Sequence, residues 1–195
     1  MMKKRKKFTS EDLAAHAFGC EALPLTAMDA RERGAVLYPV SVQVKSSNGQ
    51  TRREKMYTYG RIFTGAHNNV VFGVVTRYLL WLLMPKTISF LHTHPSCTGH
   101  RSDEMSKGDE MVARLWGVDY MYLASPRGRL YKYDGKNGRR DSRGGLVLEH
   151  IYDDMPKISF RVDCKAVLPR ALTKKQVKAY TEKNTLDQES ISTHV

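Results

Sequence analysis

The sequence predicts a mixed α/β domain in which one curved sheet is flanked by helices. Segments with strand-like composition alternate with segments that carry helix start signals. The Asn48-Gly49 pair is a strong hairpin signal between two strand-like runs. A chain of 195 residues can bury one core without disulfides, and its three cysteines include no Cys-x-x-Cys pair. We therefore expect one domain in a reducing compartment, the cytoplasm of the producing cell or of a target cell that receives the protein.

The first part of the chain predicts a basic arm, a helix and a hairpin. Residues 1–7 are rich in lysine and lack the apolar core of a secretory signal. A helix over residues 9–20 is expected, because Thr9 or Ser10 can cap it and two acidic residues follow. Strands over 34–45 and 54–63 should pair antiparallel through the Asn-Gly turn.

The apolar run from residue 70 to residue 84 predicts a buried helix that starts near Asn68 or Asn69. Its fifteen residues include Arg77 and end at Pro85, so the run is too short to span a bilayer. We therefore expect no transmembrane segment.

The remaining elements complete the sheet and leave a tail. A strand should end at His94, and a helix should run from Ser106 to Trp116 with Gly117 as its stop. Strands over 118–124 and 129–133 are joined by a Pro-containing turn at 125–128, and residues 146–162 predict one or two further strands. We assign residues 8–165 to the domain. A basic extension over 166–195 should contain a short helix at 173–184 and a disordered end.

His92 and His94 form the most informative pattern of the chain, Phe90-Leu91-His92-Thr93-His94-Pro95. Residues two apart in a strand project from the same face, so both imidazoles can reach one point. Pro95 ends the strand where these side chains are delivered. The pattern predicts a metal site.

A carboxylate from the next helix can complete that site. Ser106 and Asp109 are three residues apart and share one helix face, so Asp109 can join the two histidines. Asp103 and Glu104 are weaker alternatives for this ligand. Zinc with three protein ligands and an open position suits hydrolysis, because it lowers the pKa of water to about 7 and polarises a carbonyl.

These residues resemble the signature of JAMM or MPN-type metallopeptidases, a distant Glu followed by His-x-His-Pro and Ser-x-x-Asp. The resemblance implies that zinc is bound by His92, His94 and Asp109. It also implies a glutamate that acts as acid/base and a serine, Ser106, that stabilises the tetrahedral intermediate. The spacing from His94 to Ser106 is a few residues longer than is usual in the family.

The resemblance leaves two candidates for the glutamate. Glu32 lies at the entry to an apolar strand before Gly34, as in the family, and is our choice. Glu54 lies among charged residues of the predicted hairpin and is the alternative.

A closer resemblance, over residues 9–135, is to the JAB-like toxin domain of bacterial polymorphic toxins and effectors. Outside the metal motif the similarity is one of pattern. It implies the JAB/MPN fold, related to that of cytidine deaminases, and cleavage of peptide or isopeptide bonds. It further implies protein substrates, among them ubiquitin-like conjugates, and an immunity or delivery protein as partner.

The charge of the chain leaves alternatives open. The net charge of +12 is concentrated in residues 1–7, 136–143 and 174–183, so these regions could attract nucleic acid or an anionic surface. A metal-dependent nucleic-acid enzyme is one alternative, although such sites prefer several oxygen ligands. A catalytically inactive binding module is another, and Cys97 as a nucleophile beside His94 or His100 is a third.

Overall fold

A mixed sheet with one helix on each face forms the centre of the structure, a computed structural model that describes residues 6–45, 47–65, 88–95, 103–142 and 144–158. Two helices and seven strands lie in these residues. Their bounds, in chain order, are α1 (Glu11–Asp29), β1 (Arg33–Lys45), β2 (Thr51–Tyr59), β3 (Phe63–Thr64), β4 (Ser89–Thr93), α2 (Lys107–Trp116), β5 (Tyr120–Ala124), β6 (Leu130–Asp134) and β7 (Glu149–Tyr152).

The strand order is β2-β1-β4-β5-β6-β7, and β3 pairs with the start of β1. Only β4 and β5 are parallel, and the other pairs are antiparallel. The predicted mixed α/β domain with a curved sheet between helices is confirmed.

Alternating side chains divide the core between the two faces of the sheet. Leu37 and Leu91 are cross-strand neighbours of the residues that pack with α1, in a cluster that includes Phe18 and Tyr122. The next residues along each strand face the other way. Val36 and Phe90 are direct cross-strand partners, and they pack in the cluster that contains Ala113 of α2. Residues 34, 36, 90, 92 and 94 therefore lie on the α2 side of the sheet.

Helix α1 is longer than the sequence predicted. Our predicted end at residue 20 is wrong, because the helix continues through Pro24 to Asp29. A proline in a helix interior removes one hydrogen bond and costs about 3 kcal/mol or more. Burial of Leu23 and Ala27 on the helix face that meets the sheet opposes this cost.

The hairpin after β1 differs from the prediction in its second strand. We predicted residues 54–63, whereas β2 covers Thr51–Tyr59 and a separate short β3 follows. Gly60 interrupts the ladder, and its N–H donates to the Val36 carbonyl at 2.8 Å. Of the region 146–162, the described part contains one strand, β7.

Several predictions fall on residues outside the described ranges. These are the apolar helix of residues 70–84, the end of the domain at residue 165, the extension 166–195, Cys97 and His100. Among the helices that the structure does describe, none combines the length and the apolar character needed to cross a bilayer.

Candidate metal centre

Strand β4 delivers His92 and His94 to one face of the sheet. It lies between antiparallel β1 and parallel β5, so the ladders on both sides hold its backbone. The His94 N–H also donates to the Ala124 carbonyl at 3.3 Å. Both histidines are 6% exposed, and their ring centroids are 5.1 Å apart.

Helix α2 brings Asp109 to the same place through its own N-terminal cap. Ser106 is the N-cap, and its hydroxyl accepts from the Asp109 N–H at 3.2 Å. In return, Asp109 Oδ2 accepts from the Ser106 N–H and from the Ser106 hydroxyl, each at 2.7 Å. This reciprocal arrangement is a capping box. It fixes the Asp109 carboxylate at the first turn of the helix.

The three side chains converge as the sequence predicted. Asp109 Oδ1 lies 3.6 Å from His92 Nε2, and Asp109 Oδ2 lies 3.8 Å from His94 Nε2. One potential ligand atom from each residue lies within 4.8 Å of the others. A group of this size can surround a single metal ion.

Two buried nitrogen atoms support this interpretation. Within the described residues, His92 Nε2 and His94 Nδ1 have no hydrogen-bond partner. Leaving a buried polar atom unsatisfied costs about 1 to 3 kcal/mol, so such atoms require an explanation. A bound cation would satisfy imidazole nitrogens that face it, and the residues therefore fit a metal.

The electrostatics keep the Asp109 carboxylate ionised. Burial alone would raise its pKa, but the charge of His92 and the contacts with His92, His94 and Ser106 hold the pKa of Asp109 well below its usual range. A metal ligand must be deprotonated, so Asp109 is already in the required state. Two imidazoles and one carboxylate suit zinc, and the same donor set also occurs around iron(II).

Glu32 lies beside this group, just before β1. Gly34 pairs with His92 in the antiparallel β1–β4 ladder, and the same register two residues further places Glu32 opposite His94, on the same face. Glu32 is 6% exposed. Burial raises the pKa of Glu32 to about 7, the positive charge of His94 opposes this, and the negative charge of Asp109 adds to it. Such a carboxyl can exchange protons near neutral pH.

A buried polar cluster positions the segment that carries Glu32. Arg33 Nη2 donates to Asp29 Oδ2 at 2.7 Å, and both side chains are at most 5% exposed. The Thr93 hydroxyl oxygen lies 2.6 Å from the Thr26 hydroxyl oxygen and accepts from the Arg33 N–H at 2.9 Å. These bonds, which we term the clamp, join the end of α1 and the start of β1 to β4.

The alternative carboxylates lie elsewhere. Asp103 forms an ion pair with Arg127 at 2.9 Å and does not belong to the His-His-Asp group. Glu104 is exposed. Glu54 lies opposite Val42 in the β1–β2 hairpin and pairs with Arg52.

His16 has a partner that the sequence did not indicate. Its Nε2 lies 2.9 Å from Asp154 Oδ1, and its ring packs edge-on against Tyr152. This contact ties α1 to the chain after β7. Sequence separation of 138 residues hides such a pair from pattern reading.

Comparison of the chain with protein-family models, with curated proteins and with solved structures gives no match. The assignment of a function therefore rests on the chemistry of the site.

The residues of the clamp were missed by sequence reasoning. Asp29 and Arg33 have the spacing of a helical ion pair, which was the available signal. Thr26 and Thr93 carry no such signal, since 67 residues separate them.

Proposed function

We propose that this protein is a zinc-dependent hydrolase of peptide or isopeptide bonds, with a JAB/MPN-type fold. The observation that carries the proposal is the convergence of His92, His94 and Asp109 beside a buried glutamate whose pKa is raised to about 7. The JAMM-like order of these residues along the chain agrees with it.

In this proposal His92, His94 and Asp109 hold the metal. Bound zinc supplies a water molecule of lowered pKa and polarises the carbonyl group of the scissile bond. Glu32 accepts the proton of the attacking water and passes it to the leaving amine. Because a lysine side-chain amine and a backbone amine leave by the same route, peptide and isopeptide substrates are both compatible.

Ser106 has two candidate roles. The family resemblance assigns its hydroxyl to the developing oxyanion, which a donor at that position would stabilise. In the structure, the hydroxyl donates to Asp109 Oδ2, so it supports a metal ligand. To act on an oxyanion it would first have to turn away from Asp109.

The position of Glu32 favours a hydrolase over an inactive binding module. A module that had lost catalysis would not need a buried carboxyl electrostatically coupled to His94 and Asp109. Perturbed titratable groups cluster at functional sites because catalysis requires them, whereas burial of a carboxyl otherwise opposes folding.

The decisive experiment combines metal analysis with cleavage assays. Purified protein should contain stoichiometric zinc by mass spectrometry, and the zinc-loaded protein should cleave diubiquitin or members of a peptide library. Glu32→Gln should retain zinc and lose about 10²- to 10⁴-fold in kcat, as expected for a general acid/base. Glu54→Gln, which changes a distant carboxyl, should leave cleavage unchanged.

Three results would contradict the proposal. Cleavage by Glu32→Gln at the wild-type rate would remove Glu32 from the mechanism. Full cleavage by metal-free protein would remove the metal. Stoichiometric iron in place of zinc would redirect the search to oxidative chemistry.

A further inference from the structure

The β1–β2 hairpin extends beyond the body of the sheet. Pairing of β1 with β4 ends at Leu37, whereas pairing with β2 continues from Tyr38 to Lys45. Eight residue pairs therefore form a two-stranded ribbon, residues 38–45 and 51–58, about 27 Å long at 3.4 Å per residue. Within the described residues, no other strand pairs with 38–45.

One face of this ribbon is fully exposed and basic. The pairs Ser41 with Lys55, Gln43 with Arg53 and Lys45 with Thr51 place their side chains on the same face. All six residues are exposed, whereas Val42, Val44 and Met56 of the opposite face are half-buried. We term the six residues the ribbon face.

The cations of the ribbon face are not neutralised. Among the described residues, none of Lys45, Arg53 and Lys55 has an ion pair. The one carboxylate of the ribbon, Glu54, belongs to the opposite face and pairs with Arg52 there. Lys55 instead lies 5.2 Å from the centre of the Tyr57 ring. The ribbon face therefore carries three positive charges and no negative charge.

The arrangement of side chains fits a nucleic-acid duplex. Gln43 and Arg53 are direct cross-strand partners at the centre of the face. Arginine and glutamine are side chains that read guanine and adenine edges in the major groove, and that groove is wide enough for a two-stranded ribbon. Lys45 and Lys55 lie on either side of this pair, where lysines can contact phosphates.

We propose that the ribbon face binds duplex DNA by entering its major groove, with Arg53 and Gln43 at base edges and Lys45 and Lys55 at phosphates. Duplex RNA fits less well, because its major groove is narrow and deep. Single strands are bound by exposed aromatic platforms, and the ribbon face has none. An anionic membrane would favour apolar side chains on the contact face, and these are absent too.

This site is separate from the metal centre. The ribbon face continues the α1 side of the sheet, whereas His92 and Glu32 lie on the α2 side. Along β1, Glu32 precedes the first residue and Lys45 is the last, so about 40 Å of extended chain separates them. The proposal therefore does not depend on the hydrolase activity.

Fluorescence anisotropy with a labelled random 20-bp duplex tests the proposal on the full chain. Replacement of the three cations, Lys45→Gln/Arg53→Gln/Lys55→Gln, should weaken binding at least about tenfold at low salt. It should also reduce the slope of log K against log[salt] by about 2 to 3, one per lost phosphate contact. The matched control, Arg61→Gln/Arg139→Gln/Lys157→Gln, removes three exposed cations elsewhere. It should change the slope by less than one.

A selection from a random duplex pool tests base reading. Wild-type protein should enrich a motif that contains guanine, and Arg53→Lys should lose this enrichment while it keeps the salt slope, because lysine retains the charge without the bidentate geometry. Equal loss in the ribbon variant and the matched control would overturn the proposal. So would equal affinity for duplex RNA, or binding to anionic vesicles without binding to duplex DNA.

Discussion

Asp29 and Arg33 form a buried ion pair, with 2.7 Å between Oδ2 and Nη2, on either side of Glu32 in the sequence. Asp29 is the last residue of α1 and Arg33 the first of β1, so the pair closes the connection between them. Arg33 Nη1 also donates to the Arg31 carbonyl at 2.9 Å. The short segment that presents Glu32 is thereby held by charge and by backbone contacts together.

We expect Asp29→Ala to destabilise the fold by about 3 to 5 kcal/mol, because it leaves the buried Arg33 guanidinium without its counterion. Denaturant unfolding followed by circular dichroism measures this loss. The double variant Asp29→Leu/Arg33→Met removes both charges and should recover most of the stability. A loss below about 1 kcal/mol in Asp29→Ala would show that the pair does not hold this segment.

Asp109→Asn should weaken zinc binding by at least about 100-fold, since it removes an ionised ligand from a site of three, and even outer-shell changes cost 10- to 100-fold. Competition with a chromophoric chelator measures the affinity. Asp103→Asn is the matched control, because Asp103 precedes the same helix and pairs with Arg127. Similar zinc affinities in the two variants would refute the assignment of the carboxylate ligand.

Ser106→Ala should have two effects, because one hydroxyl both caps α2 and holds the Asp109 carboxylate. Loss of the cap costs about 1 kcal/mol of stability. Loss of the contact to a ligand should lower zinc affinity about 10- to 100-fold. Ser106→Thr retains the hydroxyl and should behave like wild type in both measurements. Unchanged zinc affinity with a lowered kcat would instead support the oxyanion role.

The pH dependence of stability should depend on Glu11. Burial raises the pKa of Glu11 above its usual value of 4.5, while the Ser89 hydroxyl and Lys132 oppose the shift. A raised folded-state pKa means that folding favours the protonated form. This contribution is therefore present below about pH 4.5 and is lost as the pH rises through the folded-state value.

Glu11→Gln keeps an acceptor for Ser89 but cannot ionise. We expect its melting temperature to exceed that of the wild type at pH 7, with the difference shrinking towards pH 4. Glu104→Gln changes an exposed carboxyl and serves as the control. A difference between Glu11→Gln and wild type that is constant from pH 4 to pH 8 would contradict this prediction.

The features that follow from local periodicity could be predicted from the sequence. The alternation along β4 placed His92 and His94 on one face, and the Ser106 cap with Gly117 as the stop fixed the bounds of α2. The Asn48-Gly49 turn likewise predicted the β1–β2 hairpin. Each of these depends on residues a few positions apart.

The features that depend on tertiary packing could not be predicted in this way. Pro24 indicates a helix end in isolation, yet α1 continues because its buried face meets the sheet. The pKa of Glu32 is set by burial and by His94, which is 62 positions away in sequence. The Thr26–Thr93 contact has the same character. No window of local sequence contains such information.

The capping box at Ser106 also determines how quickly and how selectively an ion could be captured at this centre. The Asp109 side chain already has a single rotamer, because three hydrogen bonds link it to Ser106. Little torsional freedom remains for a cation to remove on arrival, so the entropy cost of coordination at this ligand is low. A rigid carboxylate also adapts poorly to ions of different radius, so the geometry of the helix end sets a size limit that flexible surface acids do not impose.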